Sequence, residues 1–317
     1  MVKNIFVQWR TFATGLLMGI ADLVPGISGG TVALLGGVYG RLLAAISHVD
    51  MHLLKLVLAR KINKAWDYVD GLFLTHLAIG IISSILLMSQ VISRLLDAQP
   101  LLMWSLFLGL IIVASVLMLK ELYIQSQLHK SWLIIGLLVS LALANLPVLQ
   151  GVEGFSGLGY LWLMAAGAVA ISAMILPGIS GSFILLILGI YPFLMARLAA
   201  LDVQVIAVFA LGCGFGLLFF SRLISYLLKR HTSAVMSLLA GLMMGSAVKL
   251  WPWKYTLSYR LNSAGVEVPL AQENLMPWTY SQITGADNQL VWCLLIALLA
   301  GLLVVKFGRI QLQDLAS

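Results

Sequence analysis

Long apolar runs separated by short polar bursts dominate the chain, at 11–46, 72–96, 101–119, 132–149, 159–200, 203–228, 233–250 and 290–306. Most approach the roughly twenty residues an α-helix needs to cross a hydrocarbon core of about 30 Å. Two of them, 11–46 and 159–200, are far too long for one crossing. Each is interrupted by the same pentapeptide, Pro25-Gly26-Ile27-Ser28-Gly29 and Pro177-Gly178-Ile179-Ser180-Gly181. Proline and glycine break helices, so each long run predicts a helix-break-helix hairpin. At 1.5 Å per residue, arm 11–24 covers about 21 Å and arm 31–46 about 24 Å, both short of the core thickness. The first pair therefore reads as a re-entrant hairpin with its tip near the bilayer midplane. The second has longer arms, and dipping or full spanning stays open there.

A hairpin returns to the side it started from, whether it dips or crosses. Each half then contributes one hairpin plus three single crossings, an odd number that turns the second half upside down. The fold class read from this pattern is an all-α polytopic membrane protein with an inverted-topology repeat. Residues 1–150 form the first repeat: hairpin 11–46, interfacial segment 47–71 and helices within 72–149. Residues 151–317 form the second: hairpin 159–200, helices within 203–250, an external loop 251–289 and a last helix 290–306. Further matches support duplication. Gly37 and Tyr39 correspond to Gly189 and Tyr191, and Ser105–Leu110 resembles Ser237–Leu242.

Composition and charge fit this architecture. The 317 residues are 61% hydrophobic and 10% charged, with a mean hydropathy of +1.03, far from the quarter charged of soluble domains. The net charge of +7 comes without a basic groove-lining segment, which excludes nucleic-acid binding. With the N-terminus cytoplasmic, the inside receives thirteen basic residues, including Lys3, Arg10, Arg41, Lys55 and Lys229. The outside receives five: Arg94, Arg197, Lys249, Lys254 and Arg260. The positive-inside rule favours that orientation, with both termini cytoplasmic. Segment 48–70 suits a helix lying on the cytoplasmic surface, and Trp251, Trp253 and Trp278 suit the outer interface. The apolar run after Lys3 and Arg10 lacks a signal-peptide cleavage pattern and is expected to be retained. Cys213 and Cys293 lie in apolar runs and read as small core residues.

Chemistry concentrates at the repeated turns. Non-helical backbone at membrane depth is tolerated where protein buries it or it lines a cavity. Glycine admits close approach to the backbone, Ser28, Thr31, Ser180 and Ser182 bring hydroxyls, and the N–H groups opening each following helix are unpaired. Together these residues, with Gly26, Gly29, Gly30, Gly178 and Gly181, form a candidate anion site. The plain alternative is a pair of tight hairpins whose hydroxyls cap helices. Asp22, whose counterpart in the second copy is Met174, is either a proton or cation coupling site or a local backbone cap. Arg222 attracts a phosphate, pairs with Asp22, or snorkels to the interface. Arg41 and Arg197 follow the hairpins as headgroup partners or surface anchors. His48 and His52 have helical spacing but lack a third ligand, so neither a metal site nor a cofactor is expected.

Four stretches carry a family resemblance: GIADLVPGISGGTVALLGGVYGRLL at 19–43, LPGISGSFILLILGIY at 176–191, FFSRLISYLL at 219–228 and LWPW at 250–253. They resemble the bacterial undecaprenyl phosphate translocases, and the likeness spans essentially the whole chain. It implies return of undecaprenyl phosphate from the outer to the inner leaflet of the plasma membrane for cell-wall synthesis. The expected site is Ser28–Thr31 and Ser180–Ser182, with Asp22 and Arg222 as charged partners. Without a nucleotide-binding loop, transport is expected to run down a lipid gradient or to be coupled to protons or sodium. Two alternatives are a carrier or channel for a small soluble anion, and a polyprenyl pyrophosphate phosphatase. The phosphatase would need a base beside the turns, and no histidine follows either one.

Overall fold

A computed structural model describes residues 2–23, 28–124, 128–146, 158–261 and 267–307. The chain starts with α1 (Val2–Asp22), α2 (Gly29–Leu35), α3 (Tyr39–Ser47), α4 (Met51–Leu58) and α5 (Ile62–Tyr68). Three long apolar helices follow, α6 (Gly71–Ala98), α7 (Pro100–Ile124) and α8 (Lys130–Asn145). The second half runs α9 (Leu158–Ile175), α10 (Gly181–Ile187), α11 (Tyr191–Ala199) and α12 (Val203–Ser246). A 3₁₀ turn (Ala247–Leu250), strands β1 (Lys254–Leu261) and β2 (Glu267–Asn274), α13 (Pro277–Thr284) and α14 (Leu290–Phe307) complete it.

The result is a helical, multi-pass membrane protein. By length and composition, three of the described helices can cross a membrane, or up to five spans exist if each bent helix pair counts as one. The 44 residues of α12 would run about 66 Å if straight, twice the hydrocarbon thickness. Non-helical backbone at His231 (φ −138°, ψ 45°) divides it into two arms, matching the runs 203–228 and 233–250. Lipid-type exposure falls where expected, with Leu86, Leu87, Leu211, Phe215, Val291 and Trp292 all exposed.

Three features depart from the sequence reading. First, the arm after each repeated turn is not straight. α2 and α3 are bent by 116° and α10 and α11 by 111°, so the 31–46 arm never reaches its straight-helix length. Gly37 (φ 70°) and Gly189 (φ 69°) supply the left-handed residue at each bend, a conformation that costs side-chain-bearing residues energy. Second, the 251–289 loop is not irregular but holds an antiparallel β-hairpin, with Lys254 opposite Asn274 and Leu261 opposite Glu267. The all-α reading therefore needs one small sheet added. Third, Trp253 is 4% exposed, packed with Leu101 and Cys293, and its Nε1 donates to the Asn288 carbonyl at 2.8 Å. It is a core residue, not an interface anchor, whereas Trp278 is exposed.

Segment 47–71 forms α4 and α5, with Met51, Leu58, Ile62 and Trp66 exposed. An exposed apolar face beside Lys55, Arg60, Lys61 and Lys64 is compatible with a helix pair lying on a membrane surface.

Contacts between helices recur in pairs. α1 packs on α6 and α9 on the first arm of α12, each following its hairpin. α7 packs on α14, and the second arm of α12 packs on α8. A Cβ on Gly109 would run into the Ala297 carbonyl, and one on Gly241 into the Leu133 carbonyl. These two glycines are the ones aligned by the Ser105–Leu110 and Ser237–Leu242 match. Such close backbone approach is how helices associate without a hydrophobic drive between them.

Candidate functional site

The first turn closes on itself. α1 ends at Asp22, whose Oδ1 accepts from Gly29 N at 2.7 Å. Ser28 has extended backbone (φ −120°, ψ 136°) and is the N-cap of α2, its Oγ accepting from Gly30 N at 3.0 Å. Thr31 N donates to the Ser28 carbonyl at 2.9 Å. The first three N–H groups of α2, which helix geometry leaves without partners, are thus taken by Asp22 and Ser28. Side-chain oxygens at this position are the usual solution.

The second turn is built differently. Ser180 holds the equivalent extended N-cap conformation (φ −100°, ψ 129°) but makes no side-chain cap. Its hydroxyl pairs with the Ser182 hydroxyl at 2.9 Å instead. Met174 stands where the first copy has Asp22, so no carboxylate closes the turn. Gly178 sits at φ +86°, and a Cβ there would come within 2.9 Å of Met243 Cα.

The two turns touch. Ser28 Oγ donates to the Met174 carbonyl at 2.6 Å, and Gly178 N donates to Thr31 Oγ1 at 3.0 Å. A Cβ on Gly30 would lie 2.5 Å from the Ile175 carbonyl, so the absence of a side chain there permits the approach. Ser28 and Thr31 are 1% and 2% exposed, and Ser180 is 9% exposed. Ser28, Gly29, Gly30, Thr31 and Gly178 therefore meet in one polar seam between the turns; Ser180 and Gly181 follow it in the chain as buried residues, and Ser182 is exposed. Gly26 lies outside the described residues. That the Met174 carbonyl takes part was not readable from residue types, because a backbone acceptor leaves no mark on them.

Arg222 lies elsewhere. Its Nη2 donates to the Val49 carbonyl and its Nε to the Ser47 carbonyl at 3.4 Å, tying α12 to the end of α3. Among the described residues, no hydrogen bond or ion pair joins it to Asp22 or to either turn. Arg41 pairs with Asp70 and stacks on Phe73, and Arg197 pairs with Asp202 at 3.5 Å. Both arginines thus have protein partners. The rings of His48 and His52 pack against Tyr68, and no group of three metal-ligating residues occurs among the described residues. Cys213 is partly buried and Cys293 buried, both as free thiols.

A seam of paired hydroxyls and backbone amides between two broken helices is suited to an anionic headgroup. A family model described as undecaprenyl phosphate translocase-like matches residues 18–268, a stretch that contains both turns. The chain belongs to this family. A protein of Vibrio cholerae named polyprenyl-phosphate transporter is 40% identical over 299 residues, covering 94% of this chain and 96% of that one. A Staphylococcus aureus protein of the same name is 30% identical over 260 residues, covering 77% and 87%. No solved structure matches the chain. For a member of this translocase-like family, the seam is the feature whose chemistry most needs an account.

Proposed function

We propose that the protein carries a polyprenyl phosphate, undecaprenyl phosphate, from the outer to the cytoplasmic leaflet of the bacterial plasma membrane, with both termini cytoplasmic. The observation that carries this reading is the direct hydrogen-bonded contact between the turns, Ser28 with Met174 and Gly178 with Thr31. It brings hydroxyls and amides of both copies to one place, in a chain whose relatives are named for this lipid.

The phosphate binds by taking over those contacts. A monoester headgroup offers three acceptor oxygens, and Ser28, Thr31, Ser180 and Ser182 turn their hydroxyls to it, joined by amides of Gly29, Gly30 and Gly181. Charge-assisted hydrogen bonds are worth about 1.5–3 kcal/mol each, enough for a few to offset separation of the turns. α2 and α10 have only seven residues each, so local N–H groups matter more here than a long helix dipole. The prenyl chain stays in lipid while the head crosses.

Asp22 is the coupling residue. As a carboxylate it occupies the Gly29 amide and repels a phosphate. Neutralised by a proton or a sodium ion, it gives up that amide to the headgroup. The second turn has no such gate, so the two copies respond differently to one ion.

Inverted duplication is the frame for the movement, and rocking of one repeat against the other exposes the seam alternately. The matched bends of 116° and 111°, their left-handed glycines, and the reciprocal packing of Gly109 and Gly241 support it. In this scheme Arg222, bonded to the Ser47 and Val49 carbonyls, joins α12 to the end of α3.

The protein acts without covalent chemistry on the lipid. Hydrolysis would need a base beside a seryl nucleophile, and Asp22, the one carboxylate bonded to the seam among the described residues, is engaged by Gly29. Reconstitution decides among the readings. Liposomes with the purified protein should move labelled polyprenyl phosphate inward without releasing phosphate from the pyrophosphate lipid. Uptake of soluble phosphate without lipid movement would contradict the proposal, and phosphate release would favour an enzyme.

A further inference from the structure

On the side that carries the β-hairpin, Lys249 approaches the second turn and Lys254 bonds to the backbone of Lys249. Lys249 lies in the 3₁₀ turn after α12, with Nζ 4.9 Å from the ring centroid of Phe183. Phe183 directly follows Ser182, so this ammonium is held against the first turn of α10. Lys254 opens β1. Its Nζ donates to the Lys249 carbonyl at 2.6 Å and lies 3.8 Å from the ring centroid of Trp104 on α7.

The pair is under-compensated. Burial, and secondarily the positive charge of Lys249, bring the Lys254 ammonium down to about 7. Aromatic faces attract each cation, and one carbonyl accepts from Lys254, yet an ammonium has three donors. Among the described residues no carboxylate pairs with either lysine. Both lysines are half-buried, and partly desolvated charge without a counter-ion is costly, the more so when two like charges lie together. A single anion between them removes both penalties.

We infer that Lys249 and Lys254 form a receiving site for a phosphate monoester on the β-hairpin side of the Ser180–Ser182 turn. Its assignment to a lipid headgroup rests on the proposed transport function, while its chemistry suits any phosphate group. Lysine is a flexible point charge lacking the rigid fork of arginine, which fits a station that must pass its ligand on. Trp104 and Phe183 add apolar surface where the first prenyl units would lie.

The test uses the full chain in nanodiscs and calorimetric titration with two probes, inorganic phosphate and geranyl phosphate. Wild type is compared with Lys249→Gln, Lys254→Met and the double variant, with Tm measured for each. Losing one charge-assisted contact should weaken geranyl phosphate binding by about tenfold or more, and the double variant should lose more. Ligand-free Tm should hold or rise, because repulsion is relieved. Unchanged affinity in Lys249→Gln and in the double variant overturns the site. Lower Tm with unchanged affinity also overturns it, by assigning the lysines a structural role. Should the double variant not fold, Lys249→Gln alone decides. Lysine-dependent binding of inorganic phosphate with no binding of geranyl phosphate keeps the site and removes the lipid reading. Geranyl phosphate binding that ignores both lysines does the reverse.

Discussion

Gly178 donates its backbone N–H to the Thr31 hydroxyl at 3.0 Å, across 147 residues of chain. This bond joins the second repeated turn to the helix that follows the first. Thr31→Val keeps the shape and removes the acceptor, leaving a buried amide unpaired. The expected destabilisation is about 1–3 kcal/mol, read as a lower Tm, together with slower lipid transport. Thr31→Ser should retain most of both. Equal behaviour of the Val and Ser variants would show that the hydrogen bond does not matter.

Gly30→Ala tests the close approach. The new Cβ would lie 2.5 Å from the Ile175 carbonyl, so the turns must part. Overpacking of this kind costs about 1–3 kcal/mol. Transport should fall by more than tenfold, whereas Gly214→Ala, with open space at its Cβ position, should leave transport near wild type.

Asp22→Asn should uncouple transport from an imposed proton or sodium gradient. The amide side chain can still accept from Gly29 N but cannot change charge. Flux measured in liposomes with and without a gradient should become equal. Retained gradient dependence would remove Asp22 from coupling.

Lys254 gives a pH signature. Its folded-state value of about 7 lies below the ordinary 10.5, through burial first and Lys249 second. Between those values the unfolded chain binds more protons, so ligand-free stability rises with pH across the window from about 7 to 10.5. Anion binding runs the other way, since it needs the ammonium, and weakens as pH rises through about 7. Lys249 is the charged group acting on Lys254, and Trp104 is neutral. Lys254→Met should flatten the pH dependence of Tm in this window. A slope equal to wild type would contradict the assignment.

The hairpins were legible because breaking them takes residues with a recognisable signature, Pro and Gly, twice over. Gly37 and Gly189 were visible as matched letters, but their meaning as 116° and 111° bends was not, because an isolated glycine inside an apolar run has several uses. Ser28 and Thr31, singled out by their hydroxyls, do lie where the two turns meet. Closure of the seam by the Met174 carbonyl could not be read, since that depends on how two distant segments pack. Asp22 looked like a lone charge and proved to be a helix-end partner of Gly29. Arg222 could be read as a phosphate ligand, a partner of Asp22 or a snorkelling residue; its carbonyl partners, Ser47 and Val49, were not readable because backbone acceptors leave no mark on residue type. The strand pair 254–274 was hidden in a polar loop whose short alternating stretches, such as Tyr255, Leu257 and Tyr259, are weak signals alone.

The most direct measurement is inward movement of labelled undecaprenyl phosphate in liposomes holding wild type or the Ser28→Ala, Ser180→Ala double variant. If the hydroxyls of both turns hold the headgroup, as proposed, the double variant should fold and be slowed by at least tenfold, with each single variant in between. Wild-type rates in the double variant would show that the headgroup crosses elsewhere.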